Sequence, residues 1–104
     1  MFSVENFVND DTAMHFYTGL ESYSKFLFVL NTLGTATFCL KYIYIQIDTV
    51  SVENQFFMTL MKLRRCTNNF ELSRFFSISE SSVKNIVYTW IMFINKLHEK
   101  ILLI

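Results

Sequence analysis

The side chains best suited to bind a ligand lie at helical spacing within residues 81–88. The candidates are Ser81, Lys84, Asn85 and Tyr88, and Glu80 stands just before them. An Asn can pair with N6 and N7 of adenine, and a Lys can reach O6 and N7 of guanine or a phosphate. A Ser at the start of a helix suits a phosphate oxygen. If this stretch binds duplex DNA, these are the side chains expected to contact it; a solvated helix face is the alternative.

Three arginines, Arg64, Arg65 and Arg74, precede this stretch and are candidates for phosphate contacts that position a protein on DNA without reading its sequence. Residues 1–50 carry two basic and five acidic side chains, a net charge of −3, whereas residues 51–104 carry seven basic and four acidic side chains, a net charge of +3. The positive half is the half with the candidate residues. The net charge of the whole chain is zero, which is weaker than the charge of most strong DNA binders.

The chain offers no other constellation for catalysis. His15 and His98 have no Cys or His neighbour at the spacing of metal ligands, so we predict no metal site and no cofactor. Cys39 and Cys66 are predicted to be free, buried thiols in a reducing compartment. No acid/base pair or nucleophile is recognisable, and we predict that the chain is not an enzyme and has no small-molecule substrate.

Residues 69–90 must position the candidate side chains, and their pattern predicts a helix, a tight turn and a second helix. Ser73 is small enough for a close helix approach, and Ser79 is a suitable N-cap for the second helix. Ser77 stands where such turns usually have Gly, which favours a positive φ. The apolar positions expected between the helices are Leu72, Phe76, Ile78, Val83 and Ile86. An ordinary helical hairpin is the alternative.

The composition predicts an all-α fold, a bundle of about five to six helices in a single domain, 1–104. The sequence has no Pro and two Gly, too few turn residues for a sandwich or barrel. We expect an N-terminal helical hairpin over 10–34, a connector over 35–50 and the helix-turn-helix region over 51–104. Predicted helices cover 11–17, 23–33 and 52–66, the last with an apolar row of Phe56, Leu60 and Leu63 that Phe57 and Met61 widen. Residues 1–9 are predicted to be a loose lead-in.

Two stretches leave alternatives open. Residues 35–48 include an alternation like that of a strand over 38–44 but have no partner segment, so we interpret them as an extended connector, with a short helix as the alternative. The long C-terminal helix carries a heptad seam that packs on the chain's own N-terminal helices or forms a homodimer interface. The seam is Val83, Val87, Trp90, Ile94, Leu97, Ile101 and Ile104.

A membrane span is not expected. The longest uncharged run, residues 26–40, is 15 residues long and is interrupted by polar side chains, whereas a span needs roughly 20 apolar residues. The acidic N-terminus has no signal-peptide layout. We therefore expect no membrane partner.

The segments ENQFFMTLMKLR, LSRFFSIS and SSVKNIVYTWI together resemble the helix-turn-helix domain that precedes the catalytic domain in eukaryotic DDE transposases. The similar proteins are Harbinger-like elements and transposase-derived proteins that also carry a THAP domain. Upstream, HFYTGLESYSKFLFVL resembles the segment that commonly precedes that domain. The resemblance covers residues 15–33 and 51–98. The chain departs from the family at Val52, Ser77 and Ser82, where Pro, Gly and Thr are usual.

The resemblance implies a transposase-derived DNA-binding module in the nucleus, truncated before the RNase H-like domain that holds the nuclease chemistry. It also implies double-stranded DNA as the partner. An α-helical module for protein–protein interaction or dimerisation, without DNA binding, is the alternative. An enzyme is the least favoured class.

Overall fold

The computed structural model describes residues 2–33 and 50–102, with side chains up to residue 96, and is built from helices. A 3-10 turn, Val4–Phe7, comes first, followed by α1 (Asp11–Thr18), α2 (Tyr23–Thr32), α3 (Val52–Arg65), α4 (Asn69–Phe76) and α5 (Glu80–Leu102). The described ranges contain no strand. The predicted all-α class and the long C-terminal helix are confirmed. The ambiguous stretch 38–44 and Cys39 lie outside the described residues.

Short polar side chains fix where the helices begin, because each accepts a hydrogen bond from a backbone N–H that has no partner within its helix. The acceptor-to-donor distances run from 2.8 to 3.2 Å. The capping side chains are Asp10, Ser22, Ser51, Asn68 and Ser79. Ser79 was predicted as a cap, and the other four are likewise Ser, Asp or Asn side chains just before their helices, so local sequence accounts for the helix starts.

The N-terminal part of the core is a cluster of aromatic rings around Phe57, which is fully buried. Its ring centroid lies between 5.6 and 6.3 Å from those of five other rings, most of them in edge-on or tilted contact. These rings belong to Phe2, Phe7, Tyr17, Phe26 and Phe76. The cluster therefore ties α1, α2 and α4 to α3.

The first residues contribute directly to this cluster, so the predicted loose lead-in over 1–9 is wrong. Phe2 stacks on Phe57 and on Phe75, with ring centroids 5.6 and 4.8 Å apart. Val4 is fully buried, and its backbone N–H donates to Asn54 Oδ1 at 2.8 Å. Burial of these apolar side chains and the hydrogen bond to Asn54 hold the segment against α3. The sequence did not indicate this, because the segment is too short to show a helical period.

The buried face of α3 differs from the predicted row. Phe56 is buried as expected, but Leu60 is only half-buried and Leu63 is 55% exposed. Phe57 and Met61, predicted to widen the row, are buried, because α3 contacts α1 on one side and α5 on another. Cys66, just after α3, is exposed rather than buried, since it ends the helix in a left-handed conformation at the surface.

The first half of α5 packs against the chain itself. Val83, Val87 and Trp90 are buried, and the Trp90 ring lies 5.5 Å from that of Phe56. The Trp90 Nε1–H donates to Gln55 Oε1 at 3.1 Å. This half of the predicted seam is covered within one chain, mainly by α3 and α4 and not by the N-terminal helices that the first alternative named. The side chains of Leu97, Ile101 and Ile104 lie outside the described residues.

Candidate nucleic-acid interface

A tight turn joins α4 to α5 and sets the angle between them. Ser77 ends α4 with φ 57° and ψ 44°, the left-handed conformation that the usual Gly would favour. The N–H groups of Ser77 and Ile78 both donate to the Ser73 carbonyl, the second at 3.0 Å. These bonds satisfy the end of α4 and reverse the chain just before Ser79 caps the next helix.

The contact between α4 and α5 uses the predicted apolar positions. Leu72, Phe76, Val83 and Ile86 are all buried, and Ser73 is buried at the close approach. Ile78 is partly buried and packs against the same core. The predicted helix-turn-helix geometry is therefore present, with α5 as the second helix.

Burial of one side of α5 leaves the opposite side facing solvent. Ser81, Lys84 and Tyr88 are exposed, and Asn85, at the margin of the buried side, is half-buried. Their spacing puts three predicted DNA-binding side chains on one helix face and Asn85 beside them. The Ser81 hydroxyl lies 3.2 Å from that of Ser79, so it also takes part in the serine cluster that caps α5.

The predicted arginines are all exposed, and each has a neighbour that sequence analysis missed. The Arg65 Cζ atom lies 3.7 Å from the Phe16 ring centroid, and the Arg74 Cζ atom lies 4.9 Å from that of Phe70. Both distances are typical of a guanidinium held over an aromatic face. For Arg74, the signal in the sequence was Phe70 four positions earlier on the same helix. No spacing in the sequence connects Phe16 with Arg65.

Arg64 packs against the end of α1. A Cβ atom placed on Gly19 would stand 3.4 Å from Arg64 Cδ, and Gly19 has a φ of 79°. The predicted DNA-binding residues therefore fall into two groups, one beside the end of α1 and one on the two helices of the turn motif, α4 and α5. Arg64 and Arg65 lie beside the end of α1, whereas Arg74 lies on α4, the first helix of the turn motif. Ser81, Lys84, Asn85 and Tyr88 lie on α5.

Other chemistry finds little support in the described part of the chain. Within residues 2–33 and 50–96, no group of three or more His, Cys, Asp or Glu side chains could hold a metal ion. Among the same residues, none of the helices is both long enough and apolar enough to cross a bilayer. The exposed charged side chains around the turn are the cations Arg74 and Lys84 and the carboxylates Glu71 and Glu80.

Comparison with known families agrees with this geometry. Residues 49–99 match the family described as helix-turn-helix of DDE superfamily endonuclease. The matched range includes α3, α4 and most of α5. No curated protein and no solved structure matches the chain. The match supports a helix-turn-helix of the DDE transposase type in this segment.

Proposed function

We propose that this helix-turn-helix binds double-stranded DNA, with the first half of α5 in the major groove. The observation that carries the proposal is the exposed face of α5, where Ser81, Lys84 and Tyr88 point away from a core made by the opposite face. The family match to residues 49–99 supports the same function. A recognition helix needs this combination of a buried side and a free polar side.

The residues take different roles in the proposed complex. Lys84 contacts guanine or a phosphate, and Asn85 pairs with adenine from the margin of the exposed face. Ser81 donates to a phosphate near the start of α5, and Tyr88 extends the contacting surface by one turn. Arg64, Arg65 and Arg74 hold the phosphate backbone and position the helix.

The resemblance to Harbinger-like and THAP-associated transposases supports a transposase-derived origin. The activity proposed for this segment is binding, because Arg74, Lys84 and Asn85 carry hydrogen-bond donors suited to contacts with DNA. Binding to chromosomal DNA would place the protein in the nucleus. Fluorescence microscopy of the tagged chain in a eukaryotic cell tests that location, and steady exclusion from the nucleus would contradict it.

The binding test uses fluorescence anisotropy of the purified full chain on a pool of random duplexes at low salt. Phosphate contacts release counterions, so about four cationic contacts predict a slope of roughly −3 to −4 in log K against log salt. Lys84→Ala should weaken binding, whereas Lys25→Ala, a matched exposed lysine on α2, should leave it unchanged. Absence of binding by the unmodified chain would refute the proposal.

Two further variants separate positioning from sequence reading. Arg74→Ala should weaken binding to all duplexes about equally and make the salt slope shallower by about one. Asn85→Ala should instead narrow the difference between preferred and random duplexes, with a loss of ~1–3 kcal/mol of discrimination at one base pair. Equal losses on all sequences in the Asn85 variant would assign Asn85 a structural role only.

Protein–protein interaction is the second candidate function, and the exposed apolar side chains of Tyr88 and Met92 on α5 favour it. In that case the same helix face would contact another protein or a second copy of the chain. The two functions differ in a simple measurement. A homodimer should lose mass on dilution in light scattering, whereas a monomer that binds duplex DNA should not.

A further inference from the structure

We infer that Phe16, which lies outside the matched segment 49–99, is a positioning residue for the contact between Arg65 and a DNA phosphate. The inference rests on the proposed function and extends the DNA-binding surface to α1. It assigns a role to an exposed aromatic ring that contributes little to the core.

Ring contacts hold the Phe16 side chain in place beneath the Arg65 guanidinium. Phe16 is 48% exposed, although Met14 and Thr18 on the same helix are buried. Its ring meets that of Tyr17 edge-on, with centroids 5.1 Å apart, and the Tyr17 ring meets that of Phe57 edge-on at 6.0 Å. This chain of ring contacts connects the surface ring to the fully buried centre of the core.

The geometry of the pair leaves the arginine able to bind an anion. A guanidinium stacked on a ring uses its flat face, and its five N–H donors lie in the plane and remain available to phosphate oxygens. A carboxylate partner would occupy those donors instead. Holding the side chain in place before binding reduces the conformational freedom lost when the phosphate is captured.

Arg64 shows that the whole end of α1 lies against the last turn of α3. Gly19 has the left-handed conformation that favours glycine, and a Cβ atom there would stand 3.4 Å from Arg64 Cδ. The backbone of α1 thus approaches Arg64 closely while Phe16 lies under Arg65. The end of α1 acts as a platform for both arginines.

The experiment measures anisotropy of the full chain on the random duplex pool. Phe16→Leu keeps an apolar side chain but removes the aromatic face, and should weaken binding about two- to five-fold, as expected for an exposed cation–π pair. The salt slope should not change, because Arg65 still reaches the phosphate. Arg65→Ala should make the slope shallower by about one. Phe16→Leu should cause no further loss in the Arg65→Ala background.

Two variants keep the test independent of folding. Phe16→Tyr restores the aromatic face and should bind like the unmodified chain. Arg65→Lys keeps the charge without the planar stack and should lose affinity at an unchanged slope. Phe28→Leu is the matched control, because Phe28 is 64% exposed on α2 and lies near none of the proposed DNA-binding residues in sequence. It should bind normally.

The outcomes separate this inference from the proposed function. If the unmodified chain binds but Phe16→Leu binds equally well, or Arg65→Lys is without effect, the inference is refuted and DNA binding stands. Equal losses from Phe16→Leu with and without Arg65 would also refute it, since the effect would not pass through the arginine. A chain that binds no duplex at all overturns the proposed function and the inference together.

Discussion

Replacing Ser77 with Gly should stabilise the protein, because the backbone there is in a conformation that costs a non-Gly residue energy. Ser77 has φ 57° and ψ 44° and is exposed, so the change removes no buried contact. The left-handed conformation costs roughly 1–2 kcal/mol in a residue with a Cβ. Gly has more conformational freedom in the unfolded chain, which offsets about 0.4–1 kcal/mol of that gain. The midpoints of the two ranges, about 1.5 and about 0.7 kcal/mol, give an expected net gain of about 0.5–1 kcal/mol.

Thermal unfolding followed by circular dichroism at 222 nm measures the change. For a chain of this size, a gain of 0.5–1 kcal/mol corresponds to a rise in Tm of ~2–6 °C. Chemical denaturation should show a higher midpoint with an unchanged slope, since the surface exposed on unfolding is the same. Affinity for the random duplex pool should not change, because the turn keeps its geometry.

Two control substitutions isolate the backbone term. Ser77→Ala removes the hydroxyl but keeps the Cβ, so it should melt within about 0.5 kcal/mol of the unmodified protein. Ser77→Val adds a β-branched side chain that the left-handed conformation disfavours, and should be destabilised. If Ser77→Gly melts at or below the unmodified protein, or if Ser77→Ala gains as much, the argument from φ is refuted.

Three further predictions concern the core and its charges. Ile78→Asp should cost about 2–3 kcal/mol in urea denaturation, because it places a charge against the core at the turn, and an unchanged midpoint would show that the position tolerates water. Trp90 should emit at short wavelength and resist acrylamide at every protein concentration, since its partners belong to the same chain; emission that shifts on dilution would contradict this. Burial raises the pKa of Tyr23 above its ordinary value of 10.0, and the nearby carboxylates of Glu5 and Glu53 raise it further. The phenolate is therefore disfavoured in the folded state, and the unfolding free energy should fall as pH rises past about 10, less steeply in Tyr23→Phe; equal slopes would contradict it.

The helix-turn-helix was predictable because its signals are local. The Ser79 cap, the small Ser73 and the apolar positions around Ile78 lie within a few residues of one another. Helix starts also follow from neighbouring residues, since each cap accepts a bond from an amide two or three positions later. The exposed face of α5 then follows from its buried face by helical geometry alone.

Features that depend on contacts between distant segments were not predictable. The exposure of Leu63 on α3, predicted to lie in the apolar row, depends on two helices packing on other sides of α3. The role of Phe2 depends on a pocket of rings from three other segments. The pairing of Phe16 with Arg65 joins residues from opposite halves of the sequence, and no spacing rule connects them.

The single-domain organisation stays a prediction, and the aromatic residues of α3 favour it. Phe56 contacts Phe26 and Trp90, with ring centroids 5.2 and 5.5 Å apart, and so joins α2 to α5. The adjacent Phe57 contacts Phe2 and Phe76, and so joins the N-terminus to α4.

Two consecutive side chains of α3 thus connect both helices of the turn motif to the N-terminal segment. Residues outside the family match therefore pack against the same two α3 side chains that contact α4 and α5. We expect that a substitution in the first 33 residues can alter how α5 is presented without touching that helix. The N-terminal segment packs on the helix that supports the proposed DNA-binding face.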